Sequence, residues 1–332
     1  MTSPNDGLGP RMGASGDPMS GLSNLPTPAR LTVGVISAGR VGTALGAALE
    51  QAGHVVGAVV ARSESSRRRA SERLPESEIL DLDAVVARSE LLILAVPDAV
   101  LAAVVDDVAR SGSLRPNTLV AHTAGAKGVA VLAPLSALGA LPLAIHPAMT
   151  FVGTDDDTAR LRQSCFGVTA ADEVGFAIAQ SLVLEMGGEP VRIAETDRVL
   201  YHAALAHGAN HLVTLISDAV AALNAAIDGL DGGAARETAT VDGSGTLLAE
   251  RILGPLVTAS LQNVLELGPR ALTGPVARGD AAAVADHLAA LRKLPSGRPG
   301  TVGIAESYRV LARRTADYTD APAALLDVLE VS

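Results

Sequence analysis

From residue 31 onward, short β-branched apolar runs alternate with longer Ala-rich stretches in which apolar residues recur at helical spacing. That alternation predicts βαβ units and a parallel sheet. Residues 31–36, 55–60, 91–96, 118–122 and 143–146 read as its strands. After about Thr150 the β-branched runs thin out. Residues 165–169 and 190–193 read as one further strand pair around a helix at 171–186, extending the same sheet. Beyond Thr196 the pattern is helical, with breaks at 228–245, 268–279 and 295–303. The Gly-rich break at 231–245 is long enough to be a mobile surface loop. Residues 1–30 carry Gly, Pro, Ser, Asn and Met without an apolar period and cannot bury enough surface to offset chain entropy, so they read as a disordered tail.

Composition agrees with two cores. A chain of 332 residues exceeds the ~250 to 300 at which single cores stop growing. It is 48% hydrophobic and 19% charged, with no Trp, 3 Tyr and 3 Phe, so the packing must rest on Ala, Val and Leu. A formal charge of -10 repels nucleic acid and anionic membrane surfaces alike. The single Cys165 cannot form an internal disulfide, and no basic segment leads into an apolar run near the start, which points to a reducing cytoplasm. The apolar stretch at 91–105 is interrupted by Pro97 and Asp98 and falls short of the ~20 residues of a membrane helix. No membrane, nucleic-acid or metal site is expected.

The first strand runs into Ser37-Ala38-Gly39-Arg40-Val41-Gly42 and then an Ala-rich helix at 43–52, the strand, turn and helix context of a dinucleotide fingerprint. Gly39 lets backbone approach a pyrophosphate, Gly42 lets helix and strand pack closely, and the helix start offers free N–H groups. Ser37 stands where the fingerprint has its first Gly. At the end of the second strand, where an NAD enzyme offers a carboxylate to the ribose, stand Arg62 and Ser63, with Ser65, Ser66 and Arg67 to Arg69 following. Such groups accept a 2'-phosphate, so the expected cofactor is NADPH. Further strand ends carry Val96-Pro97-Asp98, His122-Thr123 and His146-Pro147, all on the carboxyl edge where open parallel sheets bind ligands. The fold expected is an α/β, Rossmann-type parallel-sheet domain over 31–194, its core within 31–150, followed by an all-helical domain over 195–332.

These motifs resemble a bacterial family of Rossmann-like oxidoreductases with a C-terminal helical domain of unknown function, related to ketopantoate reductase and pyrroline-5-carboxylate reductase. The resemblance runs from 31 to about 317. It rests on Ala38-Gly39-Arg40-Val41-Gly42, Ala95-Val96-Pro97-Asp98, His122-Thr123-Ala124-Gly125, His146-Pro147 with Phe151, Tyr201-His202-Ala203-Ala204 with Asn210, and 272–280. It implies an NADP-linked reductase with a helical dimerisation domain, hence a homodimer, and a substrate loop containing Thr273, Gly274 and Arg278. Ser37 departs from the family's Gly.

Reduction of a small 2-oxo acid by NADPH is the leading reading, with ketopantoate, of pantothenate synthesis, first. Reduction of a cyclic imino acid, as in pyrroline-5-carboxylate reductase, is the enzymatic alternative. A nucleotide-sensing or scaffold protein without turnover is the rival, favoured by Ser37 and by Arg198 standing near where related hydroxy-acid dehydrogenases carry a catalytic Lys. In the helix expected from Thr196, Thr196 can cap and Asp197 favours the positive end. Arg198, His202, Asn210, Thr214 and Asp218 recur at multiples of four on an otherwise apolar and expectedly buried helix. His202 and Asn210 lie only ~80° apart on it. His202 is expected to donate the proton and Asn210 to orient the carbonyl, with His122 and His146 as further catalytic candidates.

Overall fold

The computed structural model describes residues 30–228, 248–294 and 301–330. The chain divides into two compact units, Met1–His202 and Ala203–Ser332. The division falls after His202, where the sequence pattern placed it at 194. The expected tail, apart from Arg30, and the Gly-rich break at 231–245 lie outside the described residues.

The first unit is built on an eight-stranded sheet: β1 (Thr32–Ile36), β2 (Val55–Val60), β3 (Glu78–Ile79), β4 (Leu91–Leu94), β5 (Leu119–His122), β6 (Leu141–Pro147), β7 (Cys165–Ala170) and β8 (Glu189–Arg192). The order is β3-β2-β1-β4-β5-β6-β7-β8. Every neighbouring pair is parallel except β6 and β7, which run antiparallel with His146 opposite Gly167. The first six strands follow the doubly wound order whose direction of winding reverses between β1 and β4. The sequence pattern missed β3, because two residues cannot display an alternation.

The helices of this unit are α1 (Arg40–Gln51), α2 (Glu64–Arg73), α3 (Leu82–Arg88), α4 (Asp98–Arg110), α5 (Ala133–Ser136), α6 (Asp156–Leu161), α7 (Glu173–Glu185) and the start of α8 (Arg198–Asp228). They bury both faces of the sheet. Leu91 and Ile93 of β4 join Val35, Leu45 and Leu49 in one core layer, while Leu92 and Leu94 join Val85, Leu101 and Val105 in the other. A strand buried on both faces reads as an unbroken apolar run, which is how β4 was legible. With small side chains filling the core, elements approach closely. A Cβ on Gly34 of β1 would collide with Ser89 Oγ and come within 2.8 Å of Val85 Cγ1 on α3.

In the second unit, α10 (Gly274–Ala277), α11 (Ala281–Arg292), α12 (Ile304–Ala316) and α13 (Ala323–Glu330) enclose a small core of Val276, Val284, Leu288, Ala312, Leu325 and Leu329. The long helices differ. In α9 (Leu248–Leu267) only Ala249 is buried, and from 203 to 227 in α8 no residue is buried. The expectation that the apolar α8 is a buried helix is therefore corrected over 203–227. Glu195–Ile227 is also long and apolar enough, by length and composition alone, to cross a membrane, with a mean hydropathy of 1.3. The start of the helix also differs: Glu195–Asp197 form a 3-10 turn, and among the described residues the Thr196 hydroxyl bonds only to the Asp197 carboxylate, so Thr196 does not cap α8.

Because α3 rests directly on β1, Gly34→Ala should lower stability by ~1 to 3 kcal/mol through overpacking. Urea unfolding checks it: the midpoint should fall at constant slope, and Ser89→Ala in the same chain should recover part of the loss.

Candidate functional site

At the carboxyl end of β1 the chain turns sharply, and Ser37 takes a left-handed conformation with φ of +81°. This is the conformation a first Gly would supply, held by an L-residue at a cost of ~1 to 2 kcal/mol. The turn is pinned by the Ala38 N–H, which donates to Val60 O at 3.0 Å. A Cβ on Gly42 would collide with the Ser37 carbonyl, which is why helix and strand can meet here only through Gly. Gly39 is different: its missing side chain would meet nothing closer than Ser37 Oγ at 3.5 Å. No side chain caps the start of α1 and its first turn holds no acidic residue. Open backbone, free helix N–H groups and the exposed Arg40 together fit a pyrophosphate.

Beside the end of β2 lies a cleft of about 580 Å³ lined by Arg62, Arg67, Leu80, Asp81 and Leu82. Arg62 is exposed and makes no bond within the described residues. Arg67 is braced by Ala61 O at 3.3 Å, and the Asp81 carboxylate is occupied by the Ala84 N–H at 2.9 Å. Ser63, expected at the cofactor, uses its hydroxyl to cap α2, accepting the Ser66 N–H at 3.1 Å. Of the trailing arginines, Arg68 pairs with Glu72, while Arg69 reaches back to Ala38 O at 3.5 Å. Val96 and Thr123 are half-buried at the adjoining strand ends, Pro97 is exposed, and Asp98 accepts the Ala126 N–H at 3.4 Å.

The loop after β5 is held by side chains from three directions. His122 is fully buried; its Nδ1 accepts the Ala124 N–H at 3.2 Å and its Nε2 donates to Gly128 O at 2.9 Å. Glu195 accepts the N–H groups of Val129 and Ala130 at 2.8 and 3.2 Å. Arg198, 1% exposed, donates to Lys127 O at 2.8 Å, Ala124 O at 3.0 Å and, from β7, Gly167 O at 3.1 Å. What remains unclaimed in this loop is Gly125, and two imidazoles stand over it. A Cβ on Gly125 would collide with the His202 ring and would lie 2.9 Å from His146 Nε2 and 3.0 Å from His202 Nε2. The two rings meet edge to face with centroids 5.8 Å apart. His146 Nδ1 is 2.9 Å from the Tyr201 hydroxyl, which rests on Gly167; a Cβ there would come within 2.6 Å of it.

Burial sets the protonation of this cluster. It lowers His122 to about 4 against the donor bond to Gly128, and lowers His146 to about 4 with help from the Arg198 charge. Burial also raises Tyr201 and lowers Arg198, which stays a cation. At neutral pH the site thus holds a protonated phenol and two neutral imidazoles beside a buried guanidinium.

His146 and His202 are brought together; His122 has no free ring nitrogen for proton transfer, because backbone groups occupy both. Asn210 is exposed on α8 in the second unit, as is the Thr273 turn, where Gly274 has φ of +91° and Arg278 ends α10. Glu195 was not singled out from the sequence, Tyr201 stood only among the motif residues, and Arg67 only as one of the arginines that follow Arg62. Tyr201 adjoins His202 in the sequence, but its partner lies 55 positions away.

Two family models match the chain. Residues 17–147 match a Rossmann-like domain. Residues 164–315 match a domain of unknown function, DUF2520. No curated protein matches. Among solved structures, a Bacteroides fragilis protein assigned as an NADP oxidoreductase is similar at 21% identity, with a TM-score of 0.66 over 87% of this chain and 98% of its own. A reductive aminase from Aspergillus terreus, solved with NADPH and ethyl-5-oxohexanoate, is 17% identical with a TM-score of 0.58 over 88% of this chain and 99% of its own. An imine reductase from Myxococcus stipitatus, solved with NADP+, is 17% identical with a TM-score of 0.54 over 89% and 98%. At such identities the likeness establishes a shared fold.

The two lowered histidines fix a pH dependence. Unfolded, each titrates near 6.5; folded, near 4. Between those values the unfolded chain holds more protons, so their contribution is complete above 6.5 and is lost as pH falls toward 4. Stability should drop across that window by up to ~1.4 kcal/mol per pH unit for each histidine. His122→Gln, which keeps a donor and an acceptor, should flatten the slope in urea unfolding at a series of pH values.

Proposed function

We propose that the protein is an NADPH-dependent oxidoreductase that reduces the carbonyl of a small 2-oxo acid, with ketopantoate the first substrate to test. The observation that carries this reading is the meeting of two imidazole edges, His146 Nε2 and His202, without protein partners among the described residues, over Gly125 on the sheet edge that also bears the glycine-rich turn. NADPH, when bound, supplies the hydride. The turn from Ser37 to Gly42 and the start of α1 would hold its pyrophosphate, and Val96, Pro97, Asp98 and Thr123 would border it. Arg62, helped by Arg67, would take the 2'-phosphate. His202 gives the proton to the developing alkoxide, and His146 donates a hydrogen bond to the same oxygen. His122 acts by holding the loop. Asn210, Thr273, Gly274 and Arg278 are assigned to substrate orientation in the second unit.

Reduction of a C=N bond is the second reading, favoured by the fold shared with the Aspergillus and Myxococcus enzymes. Loss of turnover through Ser37 is less well supported, because Ser37 already takes the backbone conformation that the fingerprint Gly would supply. We further propose a homodimer through the second unit. Val213 at 65%, Leu256 at 62% and Leu265 at 78% exposure leave apolar faces on α8 and α9 that a second copy would cover.

Fluorescence titration should give tighter binding of NADPH than of NADH, and Arg62→Glu should abolish or reverse the order; tighter NADH binding by the native chain would refute the assignment. Light scattering at micromolar concentration should return twice 33.5 kDa. With an active substrate in hand, His202→Gln should reduce kcat by ~10² to 10⁴ while NADPH affinity is unchanged. Near-native kcat would remove His202 from the chemistry.

A further inference from the structure

The Tyr201 and His146 pair determines which face of hydrogen bonding the site turns toward a substrate. The hydroxyl and His146 Nδ1 are 2.9 Å apart, so one hydrogen lies between them. Besides His146 the Tyr201 hydroxyl meets the Gly167 backbone, and because that bond lowers the phenol it comes from the N–H and is accepted by the oxygen, which leaves the hydroxyl hydrogen for His146. A half-buried phenol that is still protonated must place its hydrogen somewhere, since an unmade bond costs ~1 to 3 kcal/mol. Nδ1 of a neutral imidazole is the acceptor at hand. Burial holds the phenol protonated and the imidazole neutral through the neutral range. With Nδ1 accepting, the single ring proton of His146 sits on Nε2. That atom has no protein acceptor among the described residues and borders the space over Gly125.

We propose that Tyr201 is a positioning residue that fixes His146 as the Nε2–H tautomer, and that the site therefore takes a carbonyl oxygen and disfavours an iminium nitrogen. A carbonyl oxygen offers lone pairs to a fixed N–H donor, and gains from it as charge develops on oxygen. An iminium nitrogen carries its own N–H and no lone pair, so it would face the donor hydrogen to hydrogen. The buried Arg198 cation, close enough to act on His146, opposes an iminium charge in the same sense. The step balances: NADPH, when bound, would supply the hydride to the carbonyl carbon and leave as NADP+, the C=O π pair would move to oxygen, and oxygen would take a proton from His202, giving a 2-hydroxy acid from the 2-oxo acid.

The substrate part of this inference rests on the oxidoreductase reading above, whereas the tautomer part does not. Long-range 15N–1H spectra of the full chain, with the His146 signal assigned through His146→Gln, read the tautomer directly. The native protein should show Nε2–H, and Tyr201→Phe, which removes only the hydroxyl, should lose that fixed state. A native Nδ1–H signal, or one unchanged in Tyr201→Phe, overturns the assignment; should the variant not fold, the native spectrum alone still decides. Kinetics with ketopantoate and with 2-methyl-1-pyrroline, each with NADPH, test the substrate class. The native enzyme should prefer the carbonyl, and Tyr201→Phe, with His146 free to present a lone pair, should shift the ratio of kcat/KM toward the imine by about five- to tenfold at unchanged NADPH affinity. A native preference for the imine, or an unmoved ratio, overturns the substrate class. Absence of turnover on both overturns it together with the oxidoreductase reading, while the spectra still judge the role of Tyr201.

Discussion

A buried cation, bonded among the described residues to backbone carbonyls and to no carboxylate, organises this site. Arg198 surrenders its hydration and is given in return three backbone carbonyls, of Ala124, Lys127 and Gly167, drawn from the loop after β5 and from β7. Desolvating a guanidinium costs several kcal/mol. Hydrogen bonds from a charged donor contribute ~1.5 to 3 kcal/mol each, so three of them can offset that cost only if all are made together. The arrangement is accordingly all or none. When it forms, the first turn of α8 is fixed against the sheet edge, and Tyr201 and His202 are delivered one turn later with Gly125 and His146 beside them.

The remaining contacts reinforce that outcome by removing freedom from the loop. His122 and Glu195 between them satisfy Ala124, Gly128, Val129 and Ala130, so Gly125 is held by its neighbours. Preorganisation of this kind is what a reaction that develops charge on oxygen needs, because the donors are aligned before the charge appears. The glycine-rich turn is built differently: a strained Ser37, an open Gly39 and an uncapped helix start, with cations arriving from α2 and the end of β2.

The parts of this that could be read from the chain are those set by local patterning. The apolar runs marked β1, β2, β4 and β5 because each buries residues on both sheet faces, and Arg62 was visible because its place relative to the glycine-rich turn is fixed by one βαβ unit. Signals that depend on distant partners were hidden. Arg198 was read only as standing near the place of a catalytic Lys and as favouring loss of turnover, because backbone carbonyls 31 to 74 positions away carry no sequence mark. His122 and His146 were equivalent as strand-end histidines, and only the backbone around them separates a loop-holding ring from one with a free nitrogen. Ser63 was read as a ligand where helix capping claims it. The apolar pattern of α8 predicted burial, yet the single chain leaves that helix uncovered, since hydrophobic periodicity says that a face is to be buried and not by which chain.

The central claim is that one sheet edge carries both a nucleotide cradle and the pair of imidazoles that act on the substrate. A crystal structure of the protein with NADP+ and a non-reacting 2-hydroxy acid tests it most directly. The nicotinamide should lie over Gly125, the ligand hydroxyl within hydrogen-bonding reach of His146 Nε2 and His202, ~3 Å, and the 2'-phosphate on Arg62. A nicotinamide lying away from Gly125, or a 2'-phosphate touching neither Arg62 nor Arg67, would contradict it.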